Sequence, residues 1–144
     1  MPEENIYKTA LAKAMNLCSA REYSCMEIQG KLESWNVGSS DCQKIIRSLV
    51  NENFINERRY SEAFTRDKFR HNKWGKVKIA AHLRAKKIPD QYIRDALETI
   101  DPGEYKNVIN DLLKSHRKSV KARNQYELKG KLLRFGLSRG FESH

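Results

Sequence analysis

Residues 74–100 read WGKVKIAAHLRAKKIPDQYIRDALETI, and residues 23–49 read YSCMEIQGKLESWNVGSSDCQKIIRSL. A shift of 51 residues lays one stretch on the other. Tyr23 falls on Trp74, Ile28 on Ile79, Leu32 on Leu83 and Val37 on Ile88; Cys42 falls on Ile93, Ile46 on Leu97 and Leu49 on Ile100, with Ala12 on Ala63 upstream. Two unrelated amphipathic helices share several apolar positions by chance, whereas one offset kept across three successive helices marks a repeat. A further shift of 53 carries Ile79 to Leu132 and Ile88 to Phe141, although Leu83 then lands on Gly136. Self-similarity at this period is typical of helical arrays, in which a unit cannot bury both sides of its helices alone and neighbours stack.

The spacing within each unit is helical. Cys42, Ile45, Ile46, Leu49 and Val50 form one stripe, Tyr92, Ile93, Ala96, Leu97 and Ile100 a second, and Tyr105, Val108, Ile109, Leu112 and Leu113 a third. Each follows the i, i+3, i+4, i+7 pattern, and no segment alternates with period two over the length of a strand. Ser24 with Glu27, Ser40 with Gln43 and Asp101 with Glu104 have capping-box spacing. Pro89 and Pro102 suit first helical positions, and Gly75 and Gly38-Ser39-Ser40 read as breaks. The expected helices span 3–20, 24–35, 40–52, 56–72, 75–86, 89–100, 103–119 and 122–138. The predicted fold is all-α: an elongated, curved array of three tandem three-helix, helix-turn-helix-like repeats over 1–55, 56–100 and 101–144. The third is expected to be incomplete, because Ser143-His144 ends the sequence where its last helix is due; either that helix is dispensable or the natural chain continues.

Of the 144 residues, 28 are Lys or Arg and 18 Asp or Glu, a formal charge of +10. Seven glycines and three prolines exclude a collagen-like or Gly/Pro-rich disordered chain. No apolar run nears the ~20 residues needed to cross a bilayer, and Met1-Pro2-Glu3-Glu4 lacks a basic-then-apolar leader. The expectation is a soluble, cytoplasmic protein. Cys18, Cys25 and Cys42 are odd in number and lack metal-site spacing, so they read as small apolar residues on helix faces rather than a disulfide scaffold.

Charge is segregated. Residues 1–50 hold six basic and six acidic side chains, residues 51–100 twelve and seven, and residues 101–144 ten and five. Arg66, Lys68, Arg70, Lys73, Lys76 and Lys78 face only Asp67 within their run, with Phe69, His71 and Trp74 interleaved. Lys114, Arg117, Lys118, Lys121 and Arg123 form a second run between Asp111 and Glu127. Such clustering suits a polyanionic partner, and aromatics among cations can stack on unpaired bases, although Phe69 and Trp74 are each read first as core residues. Catalytic groupings are absent from the pattern. His71, His82, His116 and His144 form no HExxH pair or metal-ligand set, no phosphate-binding glycine loop occurs, and Glu27, Glu57 and Glu62 are explained as first-turn or polar-face carboxylates.

Ala20-Arg21-Glu22-Tyr23-Ser24, followed by Glu27, Lys31 and Leu32, resembles the opening Arg-Glu-x-Ser-x-x-Glu-Leu-x-x-Lys-Leu signature of the RecX family of bacterial recombination regulators, with Ile28 where leucine is usual. Phe54-Ile55-Asn56-Glu57-Arg58-Arg59-Tyr60 with Ala63, then Gly75, Ile79, Leu83, Lys86 and Ile88, is similar to that family's central stretch. Glu57 there replaces a common aspartate, and Lys87 replaces the glycine of Lys-Gly-Ile, a departure that bears on the local turn alone. Ser138-Arg139-Gly140-Phe141 is similar to the Arg-Gly-Phe of the final repeat. The resemblance implies a modulator of the RecA recombinase that lies in the groove of RecA–single-stranded DNA filaments. It implies restraint of filament growth, ATPase, strand exchange and co-protease activity, with no cofactor and no catalysis.

The charge pattern and the resemblance together predict a basic track. Arg66, Lys73, Lys76, Lys78 and Lys86 are its expected contacts in the second repeat, and Lys118, Lys121, Arg123, Lys131 and Arg134 extend it in the third. The neutral first repeat is expected to meet mainly protein. The expected partners are the RecA filament and single-stranded DNA, with duplex DNA second, no membrane, and the chain acting as a monomer. Two rivals remain open at this point. One is a sequence-specific helix-turn-helix protein, weakened because residues 89–100 hold only Arg94 as a base beside Asp90, Asp95 and Glu98. The other is a basic scaffold for acidic proteins.

Overall fold

Ser24, Asn56, Asp101 and Asn124 each stand in extended backbone before a helix, and each accepts with its side-chain oxygen the amide hydrogen of the residue three positions on. These short side chains satisfy a donor that has no partner inside the helix, which is why the chain turns helical there. The computed structural model describes residues 2–143; Met1 and His144 lie outside the described residues. Eight helices follow among them: α1 (Pro2–Ala20), α2 (Cys25–Ser34), α3 (Ser39–Asn51), α4 (Glu57–Arg70), α5 (Lys76–Ala85), α6 (Asp90–Glu98), α7 (Pro102–Arg117) and α8 (Gln125–Ser138). The described residues form no strand, as the spacing predicts.

Two local expectations are corrected. Ser40 and Gln43 form no capping box: the Cys42 amide already bonds the Gly38 carbonyl at 2.9 Å, so α3 starts at Ser39 with Gly38 as its uncapped N-cap and Ser40 inside the first turn. Pro89 is the N-cap of α6 rather than its first residue, because its carbonyl receives the Ile93 amide while its own ψ stays at 140°.

Helix ends one repeat apart share one device. After α2, Asn36 turns left-handed (φ 62°) and the Val37 amide returns to the Leu32 carbonyl at 3.0 Å. After α5, Lys87 does the same (φ 61°) and Ile88 returns to Leu83 at 3.2 Å. After α8, Gly140 takes φ 91° and Phe141 returns to Gly136 at 3.0 Å. Val37, Ile88 and Phe141 are buried, as the apolar residue of this helix stop should be. The offsets of 51 and 53 residues that relate the apolar positions therefore also relate the backbone.

The core divides in two. Ala10, Ala14, Ile28, Leu32, Ile45 and Leu49 close one cluster within α1–α3. Ile79, Leu83, Ile88 and Ile93 centre the other within α4–α6, and Tyr105 of α7 and Phe141 beyond α8 join it. The third unit thus borrows the second unit's core: α8 has no buried residue, and Leu133, at the offset position of buried Ala80, stays half exposed beside the wholly open Tyr126. The accessible surface, 9604 Å² for 16.8 kDa, exceeds by about a quarter the ~7,700 Å² expected of a compact chain of that mass. The array is drawn out.

Neighbouring units cap one another. The Cys25 amide, first in α2, donates to Glu57 Oε2 on α4 at 3.1 Å. The Lys76 amide, first in α5 and 51 residues later, donates to the Tyr105 hydroxyl on α7 at 2.9 Å. The third unit adds backbone to this second contact, since the Gly75 and Val77 amides donate to the Arg139 and Gly140 carbonyls, each at 2.8 Å. Approach is so close that a Cβ on Gly75 would stand 2.3 Å from the Gly140 oxygen, and one on Gly140 2.2 Å from Lys78 Cβ. Glycine at both positions is a steric requirement.

Lys87→Gly should raise unfolding stability by about 1 kcal/mol in urea titration, because lysine disfavours the left-handed turn that glycine adopts freely. Gly140→Ala should lower it by about 2 kcal/mol or more through the clash with α5. Burial, and then the Glu57 carboxylate, push the Cys25 thiol up to about 11. At pH 8 roughly one such thiol in a thousand is ionised. Labelling of Cys25 by a thiol reagent should therefore be slow at pH 8 and rise about tenfold per pH unit toward pH 11; full labelling within seconds at pH 8 would contradict this.

Candidate nucleic-acid interface

Residues from the motif stretches, far apart in sequence, meet where the first unit joins the second. Arg59 Nε donates to Glu22 Oε2 at 2.9 Å, and its terminal nitrogen to the Asn53 carbonyl at 3.0 Å. Lys86 Nζ reaches Glu27 Oε2 at 3.3 Å, while Glu27 Oε1 accepts the Ser24 amide and completes the capping box of α2. Burial first, and then the adjacent Glu27 carboxylate, raise the Tyr60 phenol. These ion pairs are partly exposed and contribute at most about 1 kcal/mol each. They bridge the first and second units and add to the cap from Glu57 in holding the angle between them. Lys31 stays exposed on α2 and Leu32 is in the core.

That angle opens a cleft of about 520 Å³. Tyr60, Phe64, Trp74 and His82 wall it: the Trp74 and His82 centroids are 4.5 Å apart, Phe64 lies 6.3 Å from Trp74 edge to face, and Tyr60 stacks on Phe64 at 5.9 Å. Arg21, Lys68 and Lys86 line it together with Glu22, Glu27 and Asp67; Lys68 Nζ lies 5.2 Å from the Trp74 centroid, and Lys78, outside the lining, places its Nζ 4.5 Å from the same centroid.

The structure groups some of the expected contacts and separates others. Lys76 and Lys78 share the first turn of α5, with Lys76 Nζ 4.8 Å from the Tyr105 ring centre. Lys73 leads into that turn, exposed and left-handed at φ 56°. Arg66 does not join them: with Glu62 and Arg70 at four-residue spacing it occupies another face of α4, off the cleft. Lys86 is engaged with Glu27. In the third unit Lys118 and Lys121 are exposed in the α7–α8 connection, and Arg134 is exposed on α8. Arg123 and Lys131 both pair with Glu127, at 3.0 and 3.1 Å, and hold its carboxyl below the ordinary value.

Arg21 and Lys68, named in the motif and in the first basic run, were not among the expected contacts, and Phe64 was not singled out at all. A signal existed, since Tyr60, Phe64 and Lys68 recur every four residues along one side of α4. Phe69 is buried in the core as expected, and Trp74 is half-buried, packed on the core by one edge and lining the cleft with the other. His82 is exposed, tilted against Trp74 and stacked on Phe64 at 6.4 Å.

A family model described as RecX, second three-helix domain, matches residues 56–97. The regulatory protein RecX of Chromohalobacter salexigens is 30% identical over 129 residues, which cover 90% of this chain and 82% of that protein. That of Clostridium beijerinckii is 30% identical over 119 residues, 81% of this chain and 55% of its own length, so this chain spans just over half of it. Among solved structures, a regulatory protein RecX superposes with a TM-score of 0.89 at 19% identity, covering 99% of this chain and 70% of the other. RecX from Lactobacillus salivarius superposes with a TM-score of 0.81 at 22% identity, covering 96% and 90%. These two likenesses concern the fold.

Proposed function

The chain belongs to the RecX family of regulatory proteins, and we propose that it regulates the RecA recombinase by lying lengthwise on RecA–single-stranded DNA filaments. The observation that carries this reading is the joint between α5 and α8. It holds Lys76 and Lys78 beside Arg139 at one end of α8, while Lys118 and Lys121 lie beyond its other end, about 20 Å away by helix rise. In this reading the cations of the two units fall along one path.

In this reading the units 1–55, 56–100 and 101–144 engage successive parts of the filament. The charge-balanced first unit meets protein, and the later two meet phosphate and acidic protein surface. Several modest contacts add through effective concentration, and a molecule bridging filament subunits opposes the rearrangement that growth, ATP turnover, strand exchange and co-protease activity require. The protein works by occupancy, as a cytoplasmic monomer without a cofactor. The helix-turn-helix alternative is weaker, because the Asp95 carboxylate of α6 is engaged by Arg58 at 2.6 Å and Arg94 is the helix's single base.

Added to RecA turning over ATP on single-stranded DNA, the protein should lower the rate, with an affinity that falls steeply as salt rises. Lys76→Glu with Lys78→Glu should weaken inhibition at least tenfold and flatten the log–log salt slope by about 1.4, two contacts at 0.7 each. An unchanged rate with the unaltered protein contradicts the filament reading. Unchanged inhibition and slope in the double variant, with native helicity by circular dichroism, contradict the path through α5.

A further inference from the structure

The cleft between the first and second units has more built-in chemistry than a phosphate track needs. Phosphate binding calls for cations alone, yet four rings converge here. We propose that the cleft takes one unpaired base of a nucleic-acid strand, stacked against Trp74 and His82, with its phosphate held by Lys68 and Lys78. This rests on the reading that the chain binds single-stranded DNA and assigns the base a place on it.

Three observations support the assignment. The cleft's volume of about 520 Å³ lies within the range of pockets that enclose small ligands. Lys68 on the cleft wall and Lys78 outside it both lie over the Trp74 ring, on long stems that let their ammonium groups move onto an arriving phosphate. Glu22 lines the cleft, and its Oε1 is buried with no hydrogen-bond partner among the described residues, while Arg59 occupies the other oxygen. A buried acceptor without a donor is costly, and the exocyclic amino group of a base supplies one. A basic side chain from a partner protein would also answer Glu22, but it would meet the ammonium groups of Lys68 and Lys78 at the rings. The base is the better match.

Trp35 and Trp74 are the two tryptophans, so Trp35→Phe leaves Trp74 as the sole indole reporter. This variant is titrated with a mixed-sequence oligonucleotide, with an abasic strand of equal length, and with oligo-arginine. The oligonucleotide should change Trp74 emission at saturation and the abasic strand, though bound, should not. Adding His82→Ala, at an exposed position, should weaken oligonucleotide affinity about tenfold and leave abasic affinity unchanged, the size expected of one lost stack. Oligonucleotide binding with unaltered Trp74 emission overturns the base site and leaves the filament reading standing. A response to oligo-arginine in place of the oligonucleotide overturns it in favour of a protein side chain. Failure to bind either strand overturns both readings.

Discussion

The first amide of a helix has no carbonyl of its own helix to bond, and here the next unit provides for it. Glu57 of α4 accepts the first amide of α2, and the Tyr105 hydroxyl of α7 accepts the first amide of α5. The middle helix of each of the first two units is finished by its neighbour, so the orientation between units is a hydrogen-bonding requirement as well as an apolar one. A buried amide left without an acceptor is expensive, and this makes the joint selective in angle. Everything proposed for the surface depends on that angle: the cleft exists only between α2 and α4–α5, and the run of cations continues only because α8 ends on the start of α5.

The two joints differ in kind. Between the first and second units the contact is polar and leaves a hollow with ring walls. Between the second and third it is tight, with backbone bonded to backbone and glycine on both sides. Tightness there matches the third unit's lack of a buried core of its own, since Tyr105 and Phe141 pack into the second unit and anchor the α7–α8 pair. A unit that leans on its neighbour in this way cannot swing independently, which keeps its cations in line with those of α5.

Helix positions and the repeat were legible because both leave periodic traces: apolar residues every three or four positions, and the same positions again one unit later. Even Lys87, read as a local departure at a turn, proved to be the left-handed residue of a helix stop shared with Asn36 and Gly140. The pairing of Glu127 with Lys131 on α8 and with Arg123 just before it was also readable in principle from four-residue spacing, though a count of like charges passes over it. The cross-unit caps were not readable. A bond from a side chain to a backbone amide about thirty residues away has no period, and only the fold brings the two together. The cleft is hidden for the same reason, because its rings come from two helices and a turn, and Glu22 and Glu27 from a third segment.

Native-state hydrogen exchange at two amides tests this account most directly. The leading amide of a helix ordinarily exchanges nearly as fast as in an unstructured peptide. Cys25 and Lys76 should instead be protected to the level of the amides inside α2 and α5, and Tyr105→Phe should release Lys76 while leaving Cys25 protected. Exchange of both amides at unstructured-peptide rates in the unaltered protein would contradict the account, since the units would then be joined without the bonds that set their angle.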